Sequence, residues 1–188
     1  ADSGQIKVFN KDFRAISSKQ SIEAGIGMVH QHFMLVDNFT VLENVVLGSE
    51  GGALISESLA NARIELTRLA KEYGLEVDLD VAIEDLSVGM QQRVEILKGL
   101  YKGAKVLILD EPTGVLTPQE SDELFRIFEA LKKQGVTIIL ITHKLREIMS
   151  ITDNVSVMRA GKMVAHRETS KTNPEELAEL MIGRKVLL

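Results

Sequence analysis

The sequence of residues 105–113 is KVLILDEPT, a continuous apolar run followed by two adjacent carboxylates. The run from Val106 to Leu109 has the length and composition of a parallel strand that is buried on both faces. Ligands of open α/β sheets bind at the carboxyl ends of the strands. We therefore expect Asp110 and Glu111, which follow the run directly, to lie at such an end.

Two acidic side chains at the end of a strand have two interpretations. One carboxylate can hold Mg²⁺ while its neighbour accepts a proton from a water that attacks a γ-phosphate. Alternatively, the charges serve only to solvate the end of the strand. The pair alone does not decide between them.

A second apolar strand, Val136 to Thr142, follows a helix whose start is marked twice. Thr117 and Glu120 form a capping box, and Pro118 occupies the first helical position. Strand, helix, strand is the order of parallel α/β folds, so His143 is expected at the same edge as Asp110. His143 could there contact a phosphate oxygen, or it could be an ordinary structural histidine.

Residues 86–93, LSVGMQQR, precede the first strand and combine a hydroxyl, a glycine and the start of a helix. Ser87 can cap that helix, whose apolar stripe we expect at Met90, Val94, Leu97 and Tyr101. The free N–H groups at a helix start make an anion site. An ordinary N-cap is the alternative.

The remaining elements are predicted from local signals. We expect strands at residues 5–9 and 25–29, a helix capped by Thr40 and Glu43, a helix over 58–73 that stops at Gly74, a hairpin turning at Ala160-Gly161, and a final helix that begins at Asn173-Pro174.

Composition excludes several classes of protein. The formal net charge is −5, which gives no basic surface for nucleic acid. The chain has no cysteine, hence no disulfides or thiolate metal sites, and its apolar runs are far shorter than the roughly 20 residues of a membrane helix.

Together these segments resemble the ATP-binding cassettes of ABC transporters over nearly the whole chain. Residues 86–91 resemble the signature motif, 106–110 Walker B, Glu111 the catalytic glutamate, His143 the switch histidine and Gln31 the Q-loop glutamine. The resemblance implies an α/β fold like that of P-loop NTPases, with a parallel sheet core and an inserted α-helical subdomain. The implied division is a core of residues 1–45 and 102–170, a helical subdomain of 46–101, and a C-terminal helix and linker of 171–188.

The resemblance also implies roles and partners. The catalytic residues would be Glu111 and His143; ATP would be bound through Gln31, Ser87, Gly89, Gln91 and Asp110; and Mg²⁺ would be held by Asp110 and Gln31. A second cassette, in the same chain or in a homodimer, would complete each site. Further implied partners are transmembrane permease subunits and, indirectly, a substrate-binding protein, all at the cytoplasmic face of the cell membrane and without nucleic acid.

Two departures qualify this resemblance. Val88 stands where the signature usually has glycine and Met90 where glutamine is common, and Thr117 stands where many D-loops have aspartate. These variants, together with the segments of residues 27–35 and 181–184, resemble the corresponding segments in importers of simple sugars or nucleosides.

The sequence contains no Walker A loop, Gly-x4-Gly-Lys-Ser/Thr, which would cradle the phosphates. We therefore expect a cassette that lacks its N-terminal Walker A portion, whose strand would lie beside that of Asp110, and negligible activity of the 188 residues alone. The alternatives are a cassette protein working on ribosomes or DNA, and a non-catalytic interaction or regulatory domain.

Overall fold

The computed structural model describes residues 4–14, 17–47 and 55–184. The chain divides into two compact units, residues 1–141 and 142–188. The predicted helical subdomain of residues 46–101 falls within the first unit, and the predicted three-part division stays a prediction. Those parts of it that cover residues 1–3, 15–16, 48–54 and 185–188 lie outside the described residues.

The elements of the first unit are described first. They are β1 (Ile6–Val8), β2 (Lys11–Phe13), α1 (Ser18–Glu23), β3 (Ile26–Val29), α2 (Val41–Val46), α3 (Ile55–Tyr73), a 3-10 turn (Ile83–Asp85), α4 (Val88–Tyr101), β4 (Val106–Asp110), α5 (Pro118–Lys133) and β5 (Thr137–Ile141). The second unit contains α6 (Leu145–Ile151), β6 (Asn154–Arg159), β7 (Lys162–Glu168), a 3-10 turn (Thr169–Lys171) and α7 (Pro174–Ile182). No helix in the described parts of the chain is long and apolar enough to cross a membrane.

A parallel sheet in the order β3-β4-β5 forms the centre of the first unit. Met28 pairs with Ile108, which pairs with Ile139. The predicted α/β class with a parallel sheet is therefore confirmed. The expectation of a further strand beside β4 is wrong, because β3 and β5 already occupy both of its edges.

The two faces of this sheet differ in burial. Leu107 and Leu109 are fully buried, whereas Met28 and Ile139, which are on the opposite face, are 44% and 46% exposed. The prediction that the first strand is buried on both faces is thus wrong. Side chains alternate between faces along a strand, and α4 packs against the face that carries Leu107.

Two helices of the first unit, α2 and α5, begin where the capping signals of the sequence place them. Thr40 and Thr117 each form the predicted capping box with the glutamate three residues on. These hydrogen bonds from the threonine backbone and hydroxyl lower the pKa of Glu43 and of Glu120. Both carboxylates are therefore ionised near neutral pH and stabilise the positive end of their helix.

The buried side of α4 is wider than the predicted stripe. Val94 and Leu97 are buried as expected, while Met90 and Tyr101 are only half-buried. The other buried side chains are Gln92, Glu95, Ile96 and Leu100. The reason is that α4 contacts α2, α3 and β3, and so is covered on more than one side.

An antiparallel hairpin of β1 and β2 was missed, since only the first of its strands was predicted. Its turn places Phe9 and Asn10 at φ of 48° and 63°, values that are uncommon for residues other than glycine. No glycine marks this turn in the sequence.

The second unit packs the β6-β7 hairpin against α6 and α7 around Ile148, Val155, Val157 and Leu177. The predicted turn is confirmed: Ala160 and Gly161 both have positive φ, as a two-residue type I′ hairpin loop requires. Asn173 caps α7 by accepting the N–H of Glu176 at 2.8 Å, also as predicted.

We predict that Gly27→Ala lowers the free energy of unfolding by about 1–3 kcal/mol, the usual cost of overpacking a core. A Cβ at Gly27 would lie 3.0 Å from both Ala104 Cβ and Leu107 Cδ2. Gly99→Ala is the matched control, because its Cβ would meet only Leu107 Cδ2, at 3.1 Å, and alanine gains up to about 1 kcal/mol over glycine inside a helix. Urea unfolding measures both variants, and equal losses for the two would contradict this packing.

Candidate functional site

The register of the sheet brings two predicted site segments to one edge. Val29, the last residue of β3, pairs with Leu109, and Asp110, the last residue of β4, pairs with Ile141. Gln31 follows two residues after β3, and Glu111 directly follows β4. Both segments therefore leave the sheet at its carboxyl edge, as the sequence predicted.

Glu111 has a left-handed backbone, with φ of 47°. Its N–H donates to Ile141 O at 2.9 Å, and its own carbonyl accepts the N–H of Gly114 at 3.0 Å. A left-handed residue other than glycine costs of order 1–3 kcal/mol and persists where surrounding bonds fix it, typically at functional sites. The half-buried Glu111 is thus held rigidly just beyond the end of β4.

The start of α4 is a helix N-terminus whose backbone donors at Met90 and Gly89 already have acceptors within the chain, namely Ser87 and Glu120. The hydroxyl oxygen of Ser87 accepts the N–H of Met90 at 3.3 Å, and Ser87 itself is exposed. The side-chain amide of Gln91 donates to Ile83 O and Leu86 O at 3.2 and 3.1 Å. Gln91 therefore fixes the segment that leads into the helix, and its predicted contact with nucleotide stays a prediction.

A cavity of about 50 Å³ lies between the start of α4 and α5. Its lining residues are Ser87, Gly89, Met90, Gln92, Arg93, Leu116, Glu120, Glu123, Leu124 and Ile127. Arg93 donates to Glu123 across the two helices at 2.5 Å. Hydrogen bonds from Thr117, with a further one from the Gly89 backbone, hold the pKa of Glu120 below its usual value. One carboxylate of α5 is thus ionised beside the N-terminus of α4.

Three polar side chains that no sequence motif marks hold the segment after Gln31. Glu95 and Lys98 of α4 contact the backbone of Met34, and the fully buried Asn44 contacts the backbone of Val36. No local signal indicates these contacts, because Glu95 is 61 residues from its partner. The only signal in the sequence is the position of Glu95, a carboxylate between the apolar residues Val94 and Ile96.

His143 belongs to the second unit. Its neighbour Thr142 donates from its hydroxyl to the carboxylate of the buried Glu147 at 3.1 Å and accepts the N–H of Lys144 at the same distance. These bonds order the turn that carries His143. Its predicted position at the edge of Asp110 and its predicted contact with a phosphate oxygen stay predictions.

In the described residues, no group of three or more His, Cys, Asp or Glu side chains could hold a metal ion. A Mg²⁺ ion that arrives with a phosphate group uses only one or two protein carboxylates, because phosphate oxygens and water complete its octahedron. The position of Asp110 at the edge of the sheet fits that kind of site.

Comparison with known proteins identifies the family. Residues 1–114 match the family model described as ABC transporter. The chain belongs to the ABC transporter family. The resemblance noted in the sequence is thereby confirmed.

Curated relatives of this ABC chain are import proteins. It is 51% identical to the nucleoside import ATP-binding protein NupA of Lactococcus lactis, over 97% of this chain and 36% of the relative. It is 49% identical to the guanosine import ATP-binding protein NupO of Bacillus subtilis, over 97% of this chain and 36% of the relative. It is 42% identical to the glucose import ATP-binding protein TsgD13 of Haloferax volcanii, over 99% of this chain and 39% of the relative. The chain thus spans less than two fifths of the length of these relatives.

Solved ABC structures share the fold. The cbiO1 protein of Clostridium perfringens, part of the transporter complex cbiONQ, is 31% identical with a TM-score of 0.75, over 96% of this chain and 70% of that protein. A nucleotide-free ATP-binding cassette from an ABC transporter is 25% identical with a TM-score of 0.76, over 98% and 79%. The expected P-loop NTPase-like cassette fold is confirmed.

We predict that Gln91→Glu destabilises the ABC chain by roughly 2 kcal/mol, since a carboxylate would then face the carbonyl oxygens of Ile83 and Leu86 without donating to either. Gln91→Met, which only removes the two bonds, should cost less. Urea unfolding at neutral pH compares the variants, and the difference should shrink as the pH is lowered through the pKa of the new carboxyl. Equal losses at all pH values would show that the amide does not hold this segment.

Proposed function

We propose that this chain is part of the ATP-hydrolysing subunit of an ABC importer. The observation that carries the proposal is the placement of Asp110 and Glu111 at the carboxyl end of β4, within a chain of the ABC family. The relatives named for import at 42–51% identity support the direction of transport. The subunit would act peripherally at the cytoplasmic face of the membrane, bound to transmembrane permease subunits and served by a separate substrate-binding protein.

The transported substrate is proposed to be a nucleoside, with simple sugars second. Two relatives named for nucleoside or guanosine import are 51% and 49% identical to this chain. Relatives named for glucose and ribose import are 42% and 39% identical. The sequence variants at Val88 and Thr117 fit both groups.

Asp110 and Glu111 have separate proposed roles. Asp110 would hold Mg²⁺, directly or through water, since carboxylate oxygens suit this ion. Glu111 would accept the proton of the attacking water, as a positioned carboxylate can in phosphoryl transfer. The left-handed backbone of Glu111, fixed by its bonds to Ile141 and Gly114, supports this role, because it sets the direction in which the side chain leaves the end of β4.

The remaining site residues act around the γ-phosphate. Ser87 and Gly89, at the N-terminus of α4, would bind the γ-phosphate of a nucleotide held by a second cassette, since the helix dipole favours an anion there. That phosphate would replace the Glu120 carboxylate as the acceptor for the Gly89 backbone. Gln91 would support that contact through the segment it fixes. Gln31 would contact Mg²⁺, and His143 would contact the γ-phosphate.

The 188 residues do not supply every group that ATP requires. Phosphates in P-loop proteins are cradled by Gly-x4-Gly-Lys-Ser/Thr, and the sequence contains no such loop. The residues present therefore fit the Mg²⁺, the attacking water and a nucleotide bound in trans, but not the cradle in cis.

We predict that Glu111→Gln in the complete gene product lowers kcat for ATP hydrolysis by about 10²–10⁴-fold, the usual contribution of a general base. ATP binding should persist, because the amide keeps the size of the side chain, and nucleoside uptake by cells that carry the variant should stop. Glu76→Gln, at an exposed site, is the matched control and should leave both activities unchanged. Turnover within twofold of the wild type would reject Glu111 as the base, and absence of ATP hydrolysis by the wild type would reject the proposed function.

We also predict that the 188-residue chain alone shows no saturable binding of ATP at micromolar concentrations, because it lacks the phosphate cradle. Isothermal calorimetry with and without Mg²⁺ measures this. Micromolar affinity would contradict the prediction and would show that other residues of the chain bind the phosphates.

A further inference from the structure

A single peptide unit, that of Met34, is held on both sides by one helix. The N–H of Met34 donates to Glu95 Oε1 at 2.8 Å, and Lys98 Nζ donates to the carbonyl of Met34 at 2.9 Å. Glu95 and Lys98 are three residues apart on α4, so both side chains lie on the same side of the helix. We call this arrangement the Met34 clamp.

The burial of Glu95 makes the clamp more than a surface contact. Glu95 is only 5% exposed and lies between the buried residues Val94 and Ile96. A buried carboxylate is costly unless it is hydrogen-bonded, and a well-packed apolar side chain at such a position is often as stable or more so. A buried charge is therefore better explained by what it positions than by what it adds to stability.

Two lysines, Lys98 and Lys102, lie on the same helix as Glu95 and also contact backbone carbonyls. Lys98 is half-buried, and Lys102, one turn further on, donates to Leu47 O at 3.4 Å. Burial, and secondarily the charge of Lys98, lowers the pKa of Lys102, while Glu95 opposes that shift. The Glu95 carboxylate and the Lys102 ammonium on the same helix therefore attract each other.

The clamp limits where Gln31 can go. On one side, β3 ends at Val29, two residues before Gln31, and is paired with β4. On the other side, Met34 is three residues away and is held by α4. A chain spans at most about 3.3–3.6 Å per residue, so Gln31 stays within about 7 Å of Val29 and about 11 Å of Met34, and a shift of either anchor changes the space that Gln31 can reach.

The far end of this loop is fixed independently. Asn44 is fully buried, accepts the N–H of Val36 at 2.7 Å and donates to Val36 O, Phe39 O and Thr40 O at 3.0–3.3 Å. Without Glu95 and Lys98, the bonds of Asn44 would still hold Val36 in place, whereas the Met34 peptide would lose both of these partners.

We propose that Glu95 and Lys98 are positioning residues that make the loop of Gln31 and the helix that starts at Ser87 move as one body. A displacement of α4 when Ser87 and Gly89 engage an anion is thereby passed to Gln31 through the Met34 peptide. The effect on catalysis rests on the proposed function. The restraint of the Gln31 loop by Glu95 and Lys98 does not.

The structural part is tested by amide hydrogen exchange of the complete gene product without nucleotide, with fragmentation to single residues. Glu95→Met should raise the exchange rate of the Met34 amide by about 10-fold or more, the factor that 1.4 kcal/mol represents, because its acceptor is lost. The Val36 amide, bonded to Asn44, should keep its rate and serves as the internal reference. Glu95→Gln keeps an acceptor oxygen and should restore most of the protection. Unchanged exchange at Met34 in Glu95→Met would overturn the proposal.

The catalytic part is tested by a double-mutant cycle with Gln31. Glu95→Met and Lys98→Met should each lower kcat about 10-fold with KM for ATP within twofold, whereas the exposed controls Glu76→Met and Lys133→Met should change neither. In a Gln31→Ala background, Glu95→Met should cost nothing further, because it acts only through Gln31. Additive losses would overturn the positioning role and leave Glu95 as a general stability residue. If the wild type does not hydrolyse ATP, the proposed function fails, and the exchange experiment alone still decides whether the clamp holds the loop.

Discussion

The pairing of β4 with a strand on each of its edges is the constraint on which the proposed site depends. Leu107 and Leu109 are fully buried on one face, and a slip of one residue would carry both to the exposed face. Packing of these two leucines therefore fixes how far β4 extends relative to β3 and β5. The positions of Asp110 and of the residues that follow β3 are consequences of that register.

Helix α4 connects this sheet to the rest of the first unit through two kinds of contact. Two glycines allow α4 to approach the sheet closely. A Cβ at Gly27 or at Gly99 would lie only 3.0 or 3.1 Å from Leu107 Cδ2. Polar side chains then select one arrangement of the loops around it, because Glu95 and Asn44 are buried and bond to the backbone of the segment after Gln31. Apolar packing fixes the distance between helix and sheet, and the buried polar groups fix the path of the chain between them.

The sequence was sufficient for those features that depend on neighbouring residues. The capping boxes at Thr40 and Thr117 and the hairpin turn at Ala160-Gly161 each involve contacts within a few positions, and each is confirmed. The strand that ends at Asp110 is also confirmed, since its apolar run marks it although its partner strands are distant in sequence. The order of the motifs was also sufficient to indicate the family. Features that depend on distant partners were not predictable in this way. Gln92 and Glu95 are polar residues within α4 that are nevertheless buried, and the neighbouring sequence does not indicate that other elements cover this helix on several sides. A continuous apolar run likewise does not tell which face of a strand is covered, because burial is decided by which elements pack on which side.

The left-handed backbone at Glu111 resolves a geometric difficulty in using two consecutive carboxylates at one site. In a regular strand successive side chains point to opposite faces, so Asp110 and a strand-like Glu111 would be separated by the sheet. A positive φ at Glu111 ends that alternation one residue after β4, while its N–H still continues the ladder to Ile141. Glycine would adopt this conformation without strain but would provide no carboxylate. The strain at Glu111 is thus accompanied by a carboxylate that glycine could not supply, which agrees with the proposed role of Glu111, and the bonds to Ile141 and Gly114 are positioned to offset its cost.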